Sequence, residues 1–265
     1  REMLWCADPT VWNRHAPILF PYAGKLTGGH FLAEDGRVYE GGQHGFARDL
    51  EHRLVSQTAN ELTFELTSGG ETYAYFPYDF ALRSTYTLEG RRISHSVAVR
   101  NTGKGTLRFG FGYHPGFALP FDDAHTTEDY DVVFDTVESP LCLNTAPNGL
   151  VCASPDYYLA RNVDRIPLSA KLFAHDSHCM VNLKSKTMAV VERDTGRRIV
   201  VDIADFPYTL SWSTPQEPMR FICIEPWHSI PSEDNGPIEW EKKPCAASLA
   251  PNEMWQTTLN MTFER

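Results

Sequence analysis

Residues 109–117 read FGFGYHPGF. On an extended strand successive side chains alternate faces, so Phe109, Phe111 and Tyr113 share one side while Gly110, Gly112 and His114 share the other. The aromatic side asks for a core. Two alternate glycines strip side chains from the opposite side and let something else approach the backbone there. Pro115 has no N–H to give to a ladder, so the strand is expected to end there, with the His114 imidazole at its rim. The same residues also read as a core histidine beside two bulge glycines.

Working outward, turn signals recur at short intervals: Asp35-Gly36, Gly41-Gly42, Gly69-Gly70, Glu89-Gly90, Asn101-Thr102-Gly103, Asn148-Gly149, Thr195-Gly196 and Asn235-Gly236. Between them lie short segments of alternating character, at 61–67 (ELTFELT), 93–99 (ISHSVAV), 188–192 and 198–203, rich in the β-branched residues that strands favour. Nothing sustains helical spacing over several turns. The fold class is therefore all-β, a large antiparallel β-sandwich. With no fixed-period repeat, low-complexity tract or linker, residues 1–265 read as one domain. The acidic stretch 122–135 reads as a solvated loop.

Composition narrows the function. A formal net charge of -10, with no basic run, argues against a nucleic-acid partner, which requires clustered Lys and Arg. No apolar stretch is long enough to span a bilayer. Cys6, Cys142, Cys152, Cys179, Cys223 and Cys245 are scattered without C-x-x-C spacing, which suits reduced thiols of a cytoplasmic protein, several of them buried, better than a zinc site.

A second chemical candidate is FICIEPW at 221–227, where an apolar strand delivers Glu225 immediately before Pro226. A carboxylate at the end of a core strand beside a tryptophan is poorly solvated, which raises its pKa and suits it to proton transfer near neutrality. A rim glutamate paired with an arginine is the alternative. A third is QHGFARD at 43–49, where His44 and Arg48 could meet a polar ligand. His44, His114 and Glu225 each lie next to Gly or Pro at an element end, positions that favour binding and catalysis. His175, Asp176 and His178 are close in sequence, but on a strand His175 would point away from the other two, so no metal is assigned there. Phosphate-loop, dinucleotide and nucleophile-elbow motifs are all missing, so no cofactor is expected.

These residues resemble the aldose 1-epimerases, the galactose mutarotase-like family. The matches run in order: APILFP at 16–21, GKL at 24–26, HGFAR at 44–48, GYHPGF at 112–117, FPY at 206–208 with Trp212, and CIEPW at 223–227. HGFAR and CIEPW look like a divergent branch. The resemblance implies the family's large sandwich with a sugar cleft on one sheet, and a first hairpin that would precede Arg1. It implies His114 as catalytic acid and Glu225 as catalytic base, with His44 and Asp176 as sugar contacts. Lys25 stands where the family often has arginine, replacing a bidentate fork by a point charge.

The chemistry agrees with the residues. Exchanging α and β anomers needs a base at the C1 hydroxyl and an acid at the ring oxygen, with no metal or organic cofactor. The expected activity is aldose 1-epimerase acting on a hexose. The alternatives are a hexose-6-phosphate 1-epimerase, with Arg48, Arg83 or Lys25 holding the phosphate, and a non-catalytic sugar-binding or sensing protein. The expected partner is a small-molecule sugar. The geometry expected is a cleft shared by His114 and Glu225, about a sugar ring apart, with Gly110 and Gly112 in its floor.

Overall fold

A computed structural model describes residues 1–145 and 147–265. The chain is an all-β sandwich of large antiparallel sheets. Its helical content among the described residues is confined to single turns, the one α-helical turn being Gly70–Tyr73. The strands expected from alternation are present as Glu61–Thr67, Arg92–Asn101, Thr187–Glu192 and Arg198–Asp202. None of the six cysteines is in a disulfide, and Cys142, Cys179 and Cys223 are buried. No helix among the described residues is long and apolar enough to cross a membrane.

Two compact units share the chain. One comprises Arg1–Pro17, Tyr113–Trp227 and Met261–Arg265, the other Ile18–Gly112 and His228–Asn260. In the first unit, Phe221–Trp227 pairs with Tyr208–Trp212, which pairs with His178–Val181, then Leu141–Leu143 and Tyr157–Tyr158. The short strand Gly116–Ala118 also pairs with Phe221–Trp227. A second ladder runs Val163–Pro167, Tyr130–Glu138, Thr187–Glu192 and Arg198–Asp202, which pairs with the end of Met254–Glu264 from Met261 on. Period-two burial is plain there, since Ile199 and Val201 are wholly buried and Arg198 is exposed.

The other unit is built on the ladder Arg53–Gln57, Glu61–Thr67, Phe80–Glu89 and Arg92–Asn101. Its core is aromatic: Phe20, Phe31, Phe46, Phe76, Phe80 and Trp240 meet at ring-centroid distances of 4.6–6.3 Å. Burying several rings of this size is the largest apolar contribution a unit can make per residue.

Several expectations need correction. FGFGYHPGF is not one strand; it is Leu107–Phe109, Gly112–Tyr113 and Gly116–Ala118, interrupted at Gly110-Phe111 and at His114-Pro115. Phe109 and Phe111 pack on Trp255 in one unit, whereas Tyr113 packs on Phe206 in the other. Conversely, Pro226 does not end its strand, for Phe221–Trp227 continues through it with Thr209 opposite. A proline removes a single donor, which a ladder anchored on both sides of it tolerates. The acidic stretch is a loop only at first. From Tyr130 it is a strand, and Asp131 is buried with Arg193 at 2.8 Å.

Candidate active site

Pairing of Gly116–Ala118 with Phe221–Trp227 sets Gly116 against Cys223 and Phe117 against Ile222. Continuing that antiparallel register by two residues puts His114 opposite Glu225, on the same face as Gly116 and Cys223. The side chains meet there. His114 Nε2 lies 3.3 Å from Glu225 Oε2, both residues being buried, at 7 % and 2 % exposure. They therefore touch, where a separation of about a sugar ring was expected. The reason is the register, since directly opposed residues in an antiparallel pair stand with their Cβ atoms about 5 Å apart.

Burial drives the Glu225 carboxyl well above the ordinary carboxylate range, and the negative charge of Asp176 adds to the effect. Trp227, one residue beyond Pro226, donates its indole N–H to the Tyr113 carbonyl at 3.1 Å, tying the Glu225 strand to the residue before His114.

Aromatic walls enclose the imidazole. Trp12 stacks on His114 with ring centroids 4.9 Å apart, and Trp212 meets it edge-on at 5.8 Å. Trp12 reaches this position because Gly116 has no side chain: a Cβ there would lie 2.9 Å from Trp12 Cζ3 and 3.1 Å from Trp5 Cβ. The bare position thus admits an indole to the sheet surface. Gly110 is bare for a different reason. Its missing Cβ would overlap the Ser229 hydroxyl and lie 3.1 Å from the Tyr22 backbone, so that space is filled by protein and is no floor for a ligand.

Asp176 does not share a strand face with His178. It lies exposed in the turn before His178–Val181, at φ 81, with its N–H donating to the Phe173 carbonyl. Beside it, Asn144, Thr145, Tyr157, His175, Ser177 and His178 line a cavity of about 260 Å³. His178 is engaged by the Leu172 carbonyl at 2.7 Å and the Tyr157 hydroxyl at 2.8 Å.

His44, Lys25 and Arg48 belong to the unit that does not hold His114 and Glu225. His44 is buried at φ 70, and its Nδ1 accepts the Gly24 N–H at 3.0 Å, so the neutral ring carries its proton on Nε2. The Lys25 carbonyl accepts the Ser232 N–H, and the Arg48 guanidinium donates to the Gln43 carbonyl at 2.7 Å. Arg83, an alternative phosphate contact, pairs with Glu65 at 2.7 Å. Left-handed backbone outside glycine is uncommon and costs about 1–3 kcal/mol, and both expected sugar contacts, His44 and Asp176, adopt it.

The family model for aldose 1-epimerase matches residues 1–239. The chain belongs to the aldose 1-epimerase family. Protein LacX, chromosomal, of Lactococcus lactis subsp. lactis is 32% identical over 269 residues, covering 99% of this chain and 89% of that protein. Among solved structures, a galactose mutarotase related enzyme from Lactobacillus acidophilus superposes with a TM-score of 0.93 at 28% identity, over 100% of this chain and 88% of that one. A galactose mutarotase-like protein from Lactobacillus casei gives 0.87 at 27%, over 100% and 90%. The family's substrates are sugars.

Sequence reasoning missed three residues of the site. Trp12, Gly116 and Cys223 were all visible in the chain, but only the strand register brings them together with His114 and Glu225.

Proposed function

We propose that the protein is an aldose 1-epimerase, interconverting the α and β anomers of a hexose with Glu225 as base and His114 as acid. The observation that carries this reading is the buried contact between the two at 3.3 Å. Ionised Glu225 takes the proton of the C1 hydroxyl while protonated His114 gives one to the ring oxygen, so the ring C1–O5 bond breaks as the C1 carbonyl forms. Rotation about C1–C2 presents the other face of the aldehyde, and reversal of the two proton transfers closes the ring.

Enclosure suits the base to this task, because a carboxylate that water barely reaches is a stronger proton acceptor than an exposed one. Trp12 and Trp212 fix the imidazole plane, and their apolar rings offer a surface against which a sugar's C–H face can lie. His44 and Asp176 are the proposed contacts to sugar hydroxyls. Arg48 and Lys25 are proposed as further substrate contacts.

Polarimetry on fresh α-glucose, α-galactose and α-glucose 6-phosphate tests the proposal. Each of Glu225→Gln and His114→Asn is expected to slow enzymatic mutarotation by about 10²–10⁴. A wild-type protein that leaves all three sugars at their spontaneous rate would sink the catalytic reading. Preference among the three would assign the substrate.

A further inference from the structure

Three chemically different donors converge on one face of the first unit. A His114 ring nitrogen, Cys223 Sγ and a Glu225 carboxylate oxygen all lie within 4.8 Å of one another, and all three residues are buried. Cys223 has no place in the proposed proton transfers. Its thiol is wholly buried, and burial together with the neighbouring Glu225 charge pushes it well above its ordinary pKa.

The His114–Glu225 spacing is that of two ligands in a coordination shell. At the usual Zn–N and Zn–O lengths of about 2.0–2.1 Å, adjacent ligand atoms of a tetrahedron stand about 3.3–3.4 Å apart. His114 Nε2 and Glu225 Oε2 are 3.3 Å apart, wide for a charge-assisted hydrogen bond, which prefers about 2.7–2.9 Å. Charge points the same way. A thiolate, a carboxylate and a neutral imidazole around a divalent cation sum to zero, the composition that a buried site tolerates best.

The other such cluster among the described residues makes the contrast clear. Asp122, His125 and Glu192 also converge, but the Arg197 guanidinium is bound to both carboxylates and already supplies the cation. In the His114 cluster, by comparison, the third donor is sulfur.

We propose that Cys223, His114 and Glu225 form a binding site for a soft or borderline divalent cation, Zn²⁺ or Cd²⁺, and that occupancy blocks the site to sugar. Binding displaces the thiol proton and the proton shared by the imidazole–carboxylate pair to solvent, with no change of oxidation state. Affinity therefore increases with pH. Binding itself is independent of the proposed epimerase reaction; only the inhibition readout rests on it.

The test titrates the purified, metal-free protein with Cd²⁺ and with Zn²⁺ by calorimetry, and follows the Cd–thiolate charge-transfer band in the ultraviolet. One cation per chain is expected, with the band present in the wild type and in Cys6→Ser, which removes the exposed thiol. Cys223→Ala should abolish the band, and both Cys223→Ala and His114→Asn should weaken binding by at least about a hundredfold. Circular dichroism checks that each variant is folded. Should Cys223→Ala fail to fold, His114→Asn and Glu225→Gln carry the test through the same calorimetry. An absence of wild-type binding, a band that survives in Cys223→Ala, or an affinity that His114→Asn leaves unchanged would each overturn the proposal. Where the wild type is active, Zn²⁺ should raise the apparent KM for sugar, and Cys223→Ala should be insensitive to it.

Discussion

Gly116→Ala adds one methyl group at the point where Trp12 crosses the sheet. The new Cβ would meet Trp12 Cζ3 at 2.9 Å, Trp5 Cβ at 3.1 Å and Cys223 Sγ at 3.5 Å. Carbon atoms in contact prefer about 3.5–4.0 Å, so something must retreat by about 0.6–1.1 Å. Trp5 is poorly placed to yield: it is buried, packs on Phe221 at 4.8 Å and donates its indole N–H to the Trp12 carbonyl at 2.7 Å. The Trp12 indole, only half-buried, should move, and it takes its stack on His114 with it. Overpacking of this kind costs about 1–3 kcal/mol, readable as a lower urea midpoint. A displacement near 1 Å at a reacting group can cost about 10² in rate, so kcat/KM should fall by one to two orders of magnitude. Trp12→Phe made in the Gly116→Ala background restores the room and should recover part of both losses, the coupling between the two positions lying at about 0.5–3 kcal/mol. Wild-type stability and turnover in Gly116→Ala would refute the argument that the bare glycine seats the indole.

Three further predictions concern pH. Because burial raises the Glu225 carboxyl, kcat/KM should begin to rise above the ordinary carboxylate range and fall again as His114 loses its proton, with the two limbs belonging to the coupled pair. The same shift acts on stability: the native state keeps a proton that the unfolded chain releases near pH 4.5, so stability is full below that value and declines as pH rises through the native pKa. Glu225→Gln should remove this slope in urea melts taken from pH 4 to 9. At His125, hydrogen bonds to Asp122 and Asp194 raise the imidazole to about 9, so its contribution is present below 6.5 and lost between 6.5 and about 9. Melts of His125→Gln over that range should show a flatter profile than wild type, and an identical profile would dismiss the interaction.

The local chemistry of the chain made the fold class readable: turn residues at short spacing and β-branched alternation identified the strands at 61–67 and 198–203 nearly to the residue. The same local reasoning erred at 109–117 and at Pro226, where a partner strand rather than the segment itself decides where pairing stops. His114 and Glu225 stood out because each precedes a proline near aromatic residues. Their opposition could not be read, because it depends on a register between segments more than a hundred residues apart. Gly116 was likewise in plain sight, whereas the tryptophan that needs its emptiness comes from the first seventeen residues. Positive φ at His44 and Asp176 falls on two residue types enriched there, but most histidines and aspartates keep negative φ, so residue type alone did not single these two out.

The unit that carries His114 and Glu225 is assembled from three separate pieces of chain, Arg1–Pro17, Tyr113–Trp227 and Met261–Arg265. During synthesis the indole of Trp12 emerges about a hundred residues ahead of the histidine it will cover. The strand Arg198–Asp202 in turn waits for Met261 and its successors before its outer ladder is filled. Contacts so distant in sequence form late, because a long loop must close before they contribute anything. On the ribosome Arg198–Asp202 would remain a strand edge in need of a partner until residues 261–264 have cleared the exit tunnel.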